Sequence, residues 1–190
     1  MTNILTLERV ETFISQYHIL QGITFVAKEG EVSVLLGRNG AGKTTTLRTI
    51  MGLTPASKGT IQFDGKDITK MAPYDIANSG IGYVPEDQGI FGQLTVEENM
   101  KVAIRKETDA TMQKQAYILE LFPDLNKFWK KQGGNLSGGQ KQMLAMARAF
   151  VNDSKLLLID EPSKGLAPIV IEKVMEAITE MKKHTSIVLV

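Results

Sequence analysis

Cysteine is absent from the 190 residues, which excludes disulfide bridges and thiolate metal sites and fits a reducing compartment. No stretch approaches the ~20 consecutive apolar residues of a membrane-spanning helix, and the N-terminus lacks the basic-then-apolar pattern of a signal peptide. A cytoplasmic chain is expected, with any membrane role reached through a partner. A surplus of one charge is missing too: 22 Lys and Arg face 21 Asp and Glu, a formal net of +1. Bulk electrostatics therefore gives no reason to expect nucleic acid or an acidic partner. Internal repeats, low-complexity tracts and sustained heptads are also lacking. The length suits one domain, or one domain with a subdomain, and is ample for a buried core.

Along the chain, the first thirty residues mix short β-type runs with turns and read as an antiparallel region. "EVSVLLG" is a continuous apolar run of the kind found in strands buried on both faces. "GKTTTLRTIMGL" reads as a helix ending at Gly52, and "SKGTIQFDGKDIT" as a hairpin turning at Asp64–Gly65. "GIGYVP" is a short strand stopped by Pro85. From about Glu86 to Gly134 the pattern becomes helical, with Thr95 and Glu98 at capping-box spacing. "SKLLLID" and "TSIVLV" are buried-type strands flanking a helix that shows Val170, Val174, Ala177, Ile178 and Met181 on one face. Strand, helix and strand at this spacing imply a right-handed parallel crossover.

"GRNGAGKT" at 37–44 fits G-x-x-x-x-G-K-[ST] with a strand before it and a helix after. Gly37, Gly40 and Gly42 let the backbone curl with its N–H groups inward around a phosphate. Lys43 supplies charge to the outer phosphates, Thr44 a hydroxyl for Mg²⁺, and the helix N-terminus a partial positive charge. The nucleoside triphosphate site is read as Gly37, Arg38, Asn39, Gly40, Ala41, Gly42, Lys43, Thr44 and Thr45. "KLLLIDEP" leaves Asp160 and Glu161 at the exit of an apolar strand, where ligands of open parallel sheets gather. Asp160 is suited to hold Mg²⁺, and Glu161 to act as the base that polarises an attacking water.

A second anion cradle lies at "NLSGGQKQMLAMARAF". Ser137 and Gln140 have capping-box spacing, yet Gly138 and Gly139 stand between them, at roughly 1 kcal/mol each relative to alanine in a helix. Paired glycines at a helix N-terminus suggest close approach of a ligand to bare amides. The cap and the ligand reading are compatible, since the cap organises the donors.

In order, "GRNGAGKT", "LSGGQ" and "LLLIDEP" resemble the ATP-binding subunit of ABC transporters over nearly the whole chain. The resemblance implies an α/β P-loop NTPase fold, with a RecA-like core of mostly parallel sheet. An N-terminal antiparallel part is expected at 1–30 and 58–66, core at 31–57 and 67–85, and a helical subdomain at 86–135. The signature helix and Walker B core would follow at 136–190. It further implies ATP and Mg²⁺, and a head-to-tail pair of ATPase subunits, identical or different. Ser137, Gly138, Gly139 and Gln140 would then meet nucleotide held by the partner chain. Permease subunits would carry the pair at the cytoplasmic face of the membrane, served indirectly by a solute-binding protein.

"YVPEDQGIFGQLTVEENM" and "DEPSKGLAPIV" look like the ATP-binding subunits of branched-chain amino acid importers. Urea and short-amide importers share much of this pattern, including a stretch like "HILQGITF". A soluble ABC-type ATPase and a non-enzymatic nucleotide-gated module are the other readings. Against the family pattern, Glu86 stands where a metal-sensing glutamine is common; it joins Thr44 and Asp160 as a metal-site candidate. Ala167 stands where an aspartate is usual. Tyr17 is the candidate for adenine stacking, with Phe13 as the alternative. The family continues past "TSIVLV" into a switch loop carrying a histidine, which neither His18 nor His184 replaces. A chain cut there is expected to bind ATP and hydrolyse it weakly.

Overall fold

Alternating apolar residues over the first thirty positions build two twelve-residue strands, β1 (Asn3–Ile14) and β2 (Tyr17–Lys28), paired antiparallel. They are longer than the short runs the sequence suggests. Register shifts along the pair, with Arg9 at φ 47°, interrupt the two-residue period and make one strand read as several. The computed structural model describes residues 2–190. After β2 come β3 (Val32–Val34), α1 (Lys43–Ile50), β4 (Lys58–Phe63), β5 (Lys66–Asp67), α2 (Pro73–Asn78) and β6 (Ile81–Val84). The later elements are α3 (Val96–Ala103), α4 (Asp109–Leu121), α5 (Pro123–Lys127), α6 (Gly138–Phe150), β7 (Leu156–Ile159), α7 (Pro168–Met181) and β8 (Ser186–Leu189).

The chain separates into two compact units. The first holds residues through Tyr83 together with Lys155–Asp160 and His184–Val190. It contains an antiparallel sheet in the order β2-β1-β4-β5 and a second sheet in the order β3-β8-β7-β6. In the second sheet, β8 runs parallel to both β3 and β7, as the strand–helix–strand pattern requires. The β4–β5 hairpin turns at Asp64 (φ 49°) and Gly65 (φ 73°), two consecutive left-handed residues that match the strand twist. Leu47 and Ile50 of α1 share one apolar cluster with Leu5, Leu7 and Phe63 of the antiparallel sheet and with Leu156, Leu158 and Val188 of the other. The helix that follows the glycine loop is thereby packed against side chains from both sheets.

"EVSVLLG" does not form a strand buried on both faces: β3 has three residues, Val34 is 48% exposed and Leu36 89%. The cause is position, since β3 stands at the edge of its sheet. An apolar run reports strand character without telling centre from edge.

The second unit comprises Val84–Ser154 and Glu161–Lys183. This grouping sets α6 and α7 with the helices that precede them, whereas the sequence boundaries join them to the core strands. Three of its helices open with reciprocal capping boxes, at Thr95/Glu98, Thr108/Thr111 and Ser137/Gln140. Asn99, fully buried in α3, holds the preceding loop. Its Oδ1 accepts from Phe91 N–H at 2.9 Å, and its Nδ2 donates to the carbonyls of Phe91, Leu94 and Thr95. α7 buries Val174, Ala177, Ile178 and Met181, the face expected from its period; Val170 on the same face is half-buried. No helix among the described residues is long and apolar enough to cross a membrane.

Candidate functional site

Gly42, the N-cap of α1, sits at φ 89° with its α-carbon against Leu20, so a methyl group there would come within 2.8 Å of Leu20 Cδ2. Glycine is required twice over at this position, by its dihedral and by its neighbour. The turn it creates leaves Gly37–Ala41 exposed at the start of α1, whose first turn carries no acidic residue to offset the helix dipole. Lys43 lies back across the loop, donating from Nζ to the carbonyls of Gly37 at 3.1 Å and Arg38 at 3.3 Å. Asn39, Gly40 and Ala41 complete the exposed loop; Thr45 follows on α1, half-buried.

The Thr44 hydroxyl donates to Asp160 Oδ1 at 3.1 Å, joining two residues 116 apart in sequence. Asp160 is buried at the end of β7, where Val190 N–H also closes on the carbonyl of Ile159. Hydroxyl and carboxylate oxygens so joined form a hard-oxygen donor set. Among the described residues no group of three or more His, Cys, Asp or Glu converges as a metal cage. The Thr44–Asp160 donor set suits Mg²⁺, which takes one or two protein oxygens and fills its shell with phosphate and water.

At the tip of the β1–β2 hairpin, Tyr17 is 63% exposed and Phe13 44%. The Phe13 ring is stacked on His18, with centroids 4.2 Å apart and planes within 7°. The two aromatic candidates are thus distinct: one is committed to a histidine and the other presents its ring outward.

In the second unit, Ser137 Oγ accepts from Gln140 N–H at 3.3 Å, and Gln140 Oε1 accepts from Ser137 N–H at 3.0 Å. Gln140 therefore serves the cap with its side chain. The two glycines between them differ, which the sequence does not reveal. A Cβ on Gly139 would overlap Val170 Cγ1 of α7, whereas one on Gly138 would make an ordinary contact with Leu166 at 3.5 Å. Gly139 is buried and needed for helix packing; Gly138 is exposed, and no packing within the chain demands it. Gly139→Ala is accordingly expected to destabilise by about 1–3 kcal/mol through overpacking, lowering the melting temperature. Val170→Ala in the same chain should restore most of it, while Gly138→Ala leaves the melt near that of the parent.

Glu161 has φ 43°, a left-handed conformation that non-glycine residues seldom adopt. Strain of this kind costs of order 1–3 kcal/mol and collects at functional positions. A turn follows, with Lys164 N–H donating to the carbonyl of Glu161 at 3.1 Å. The Lys164 ammonium is hydrogen-bonded to Glu86 Oε1 and lies 3.6 Å from Glu161 Oε2. Glu86, and behind it Glu161, hold the ammonium above the usual lysine range. The Glu86 carboxylate, entered as a metal candidate, is thus engaged by a cation. The neighbouring Gln88 reaches Gly138, with Nε2 3.4 Å from its carbonyl. Arg148 of α6 donates to the carbonyl of Gly89 and lies over the Phe91 ring at 4.9 Å. Ala167 is the extended N-cap of α7 and offers no capping side chain; Pro168 opens the helix instead. Lys164 escaped sequence reasoning, although a lysine three residues after an acidic strand end was the available signal.

Residues 20–164 match the family described as ABC transporter. The chain is 37% identical over 181 residues to the high-affinity branched-chain amino acid transport ATP-binding protein BraG of Pseudomonas aeruginosa, covering 95% of this chain and 78% of that one. It is 35% identical over 168 residues to the probable branched-chain amino acid transport ATP-binding protein LivF of Archaeoglobus fulgidus, covering 88% and 71%. It also superposes, with a TM-score of 0.84 and 25% identity, on the ADP conformation of an ATP-binding cassette of an ABC transporter, covering all of this chain and 81% of the other.

Proposed function

The chain belongs to the ABC transporter family, and from that membership we propose that it is the ATP-hydrolysing motor of an importer for branched-chain amino acids. The observation that carries the chemistry is the Thr44–Asp160 hydrogen bond, which brings the helix of the glycine loop to the acidic end of β7. The solute class rests on the relatives, whose names specify branched-chain amino acid transport.

In this reading the amides of Gly37–Thr44 cradle the β- and γ-phosphates, and Lys43 exchanges its two loop carbonyls for phosphate oxygens. Tyr17 stacks on the adenine. Thr44 and Asp160 would hold Mg²⁺, which when bound neutralises charge on the transferring phosphoryl group. Glu161 accepts a proton from water as its oxygen attacks the γ-phosphorus; the bond to the β-phosphate oxygen breaks and ADP leaves.

The second cradle acts in trans. Ser137, Gly138 and Gln140 at the start of α6 face the γ-phosphate of nucleotide held by a second ATPase subunit, so hydrolysis requires a head-to-tail pair. Gly139 contributes its amide, while its missing side chain serves α7. The pair works at the cytoplasmic face, bound to permease subunits that a solute-binding protein supplies. Reconstitution tests this: ATP turnover in proteoliposomes with the permease should rise severalfold when leucine and the binding protein are added. Turnover indifferent to both, or raised only by another solute, would exclude the branched-chain assignment.

A further inference from the structure

Two carboxylates in the second unit share one cation. Lys164 Nζ is bonded to Glu86 and stands 3.6 Å from Glu161, and the three residues come from two segments 78 positions apart. No other cation is recorded within ion-pair distance of either carboxylate among the described residues. The geometry points to Lys164 as a positioning residue that is held off Glu161 by Glu86, so that the Glu86 carboxylate controls whether the base is left to face water. This rests on the reading of Glu161 as the base.

The two carboxylates compete for one ammonium. The turn Glu161–Lys164 places the ammonium at i,i+3 from the base, 3.6 Å from its Oε2. An ammonium presents three donors on a flexible stem and goes where negative charge is closest. While Glu86 accepts its hydrogen bond, Glu161 Oε2 stays 3.6 Å away, beyond a good hydrogen bond. Remove or divert the Glu86 carboxylate, and Glu161 is the ion-pair partner that remains among the described residues. A direct charge-assisted bond would then turn the base towards its own turn. Because Lys164 is more than half exposed, the pair adds little to stability. Its effect is on where one carboxylate points.

A double-mutant cycle on the full chain reads this out through steady-state ATP turnover. Glu86→Gln should lower kcat by roughly tenfold or more, the scale of a sub-ångström misplacement of a reacting group, with KM for ATP changed less than about twofold. Adding Lys164→Met to that variant should recover at least about half of the lost kcat, because no cation is left to capture Glu161. A structural role for Lys164 would instead make the second substitution neutral or harmful. Losses that add, or a double variant slower than Glu86→Gln alone, overturn the inference. Glu161→Gln run alongside separates the levels: if it retains full turnover, the base assignment itself has failed.

Discussion

Glu161→Gln is expected to cut ATP turnover by about 10²–10⁴-fold, the range for loss of a general base, while nucleotide affinity stays within about twofold of the parent. Glutamine has nearly the same shape, so the turn after β7 and the left-handed backbone at 161 are kept. What is lost is the capacity to take a proton from water. Binding is assigned to the glycine loop and Lys43, which the substitution leaves alone. With hydrolysis blocked and binding intact, an ATP-bound pair of subunits should accumulate. Size-exclusion chromatography with and without ATP reads the pairing, and phosphate release reads the turnover. Unchanged turnover would remove Glu161 from the base role.

The second large effect is expected at the other cradle. Ser137 is exposed at the N-cap of α6, so Ser137→Arg places a bulky cation where a partner's nucleotide would enter. Turnover should fall by more than about 100-fold, comparable to removing a donor from an oxyanion site. ATP affinity of the isolated chain should hold, because none of the glycine-loop contacts involve Ser137. Loss of the cap costs about 1 kcal/mol, a small shift in melting temperature. Pairing in the Glu161→Gln background gives the clean measurement: ATP-dependent dimers should disappear on adding Ser137→Arg. If affinity of the single chain collapses instead, the two cradles do not divide the work between chains.

What could be read beforehand was whatever depends on neighbours in sequence. The capping boxes at Thr95 and Ser137, the Asp64–Gly65 turn and the glycine loop are each set by residues within a few positions, and each stands where its spacing puts it. The features that escaped depend on distant partners. Gly139 and Val170 lie on separate helices, and nothing in "LSGGQ" says that its second glycine answers to α7. The cation joining Glu86 to Glu161 follows from a turn and a loop meeting in space. The fourfold clamp of Asn99 on residues 91–95 looks, in sequence, like an ordinary polar helix position. Strand β3 misled for a related reason, since its place in the sheet is decided by β8.

That dependence reaches back to synthesis. The strand that leads into the glycine loop pairs with β8 alone, and the neighbouring Gly30 N–H is met by Ser186 Oγ at 2.9 Å, across 156 residues. At about 5–20 residues per second, a ribosome needs roughly 10 to 30 s to deliver the second half of that ladder after making the first. Through that interval the loop has its glycines and its lysine but not the rail that aligns them with Asp160. Until β8 is made, β3 and β7 are not joined in one sheet, so the glycine loop and the acidic end of β7 come into register only once synthesis has passed Leu189.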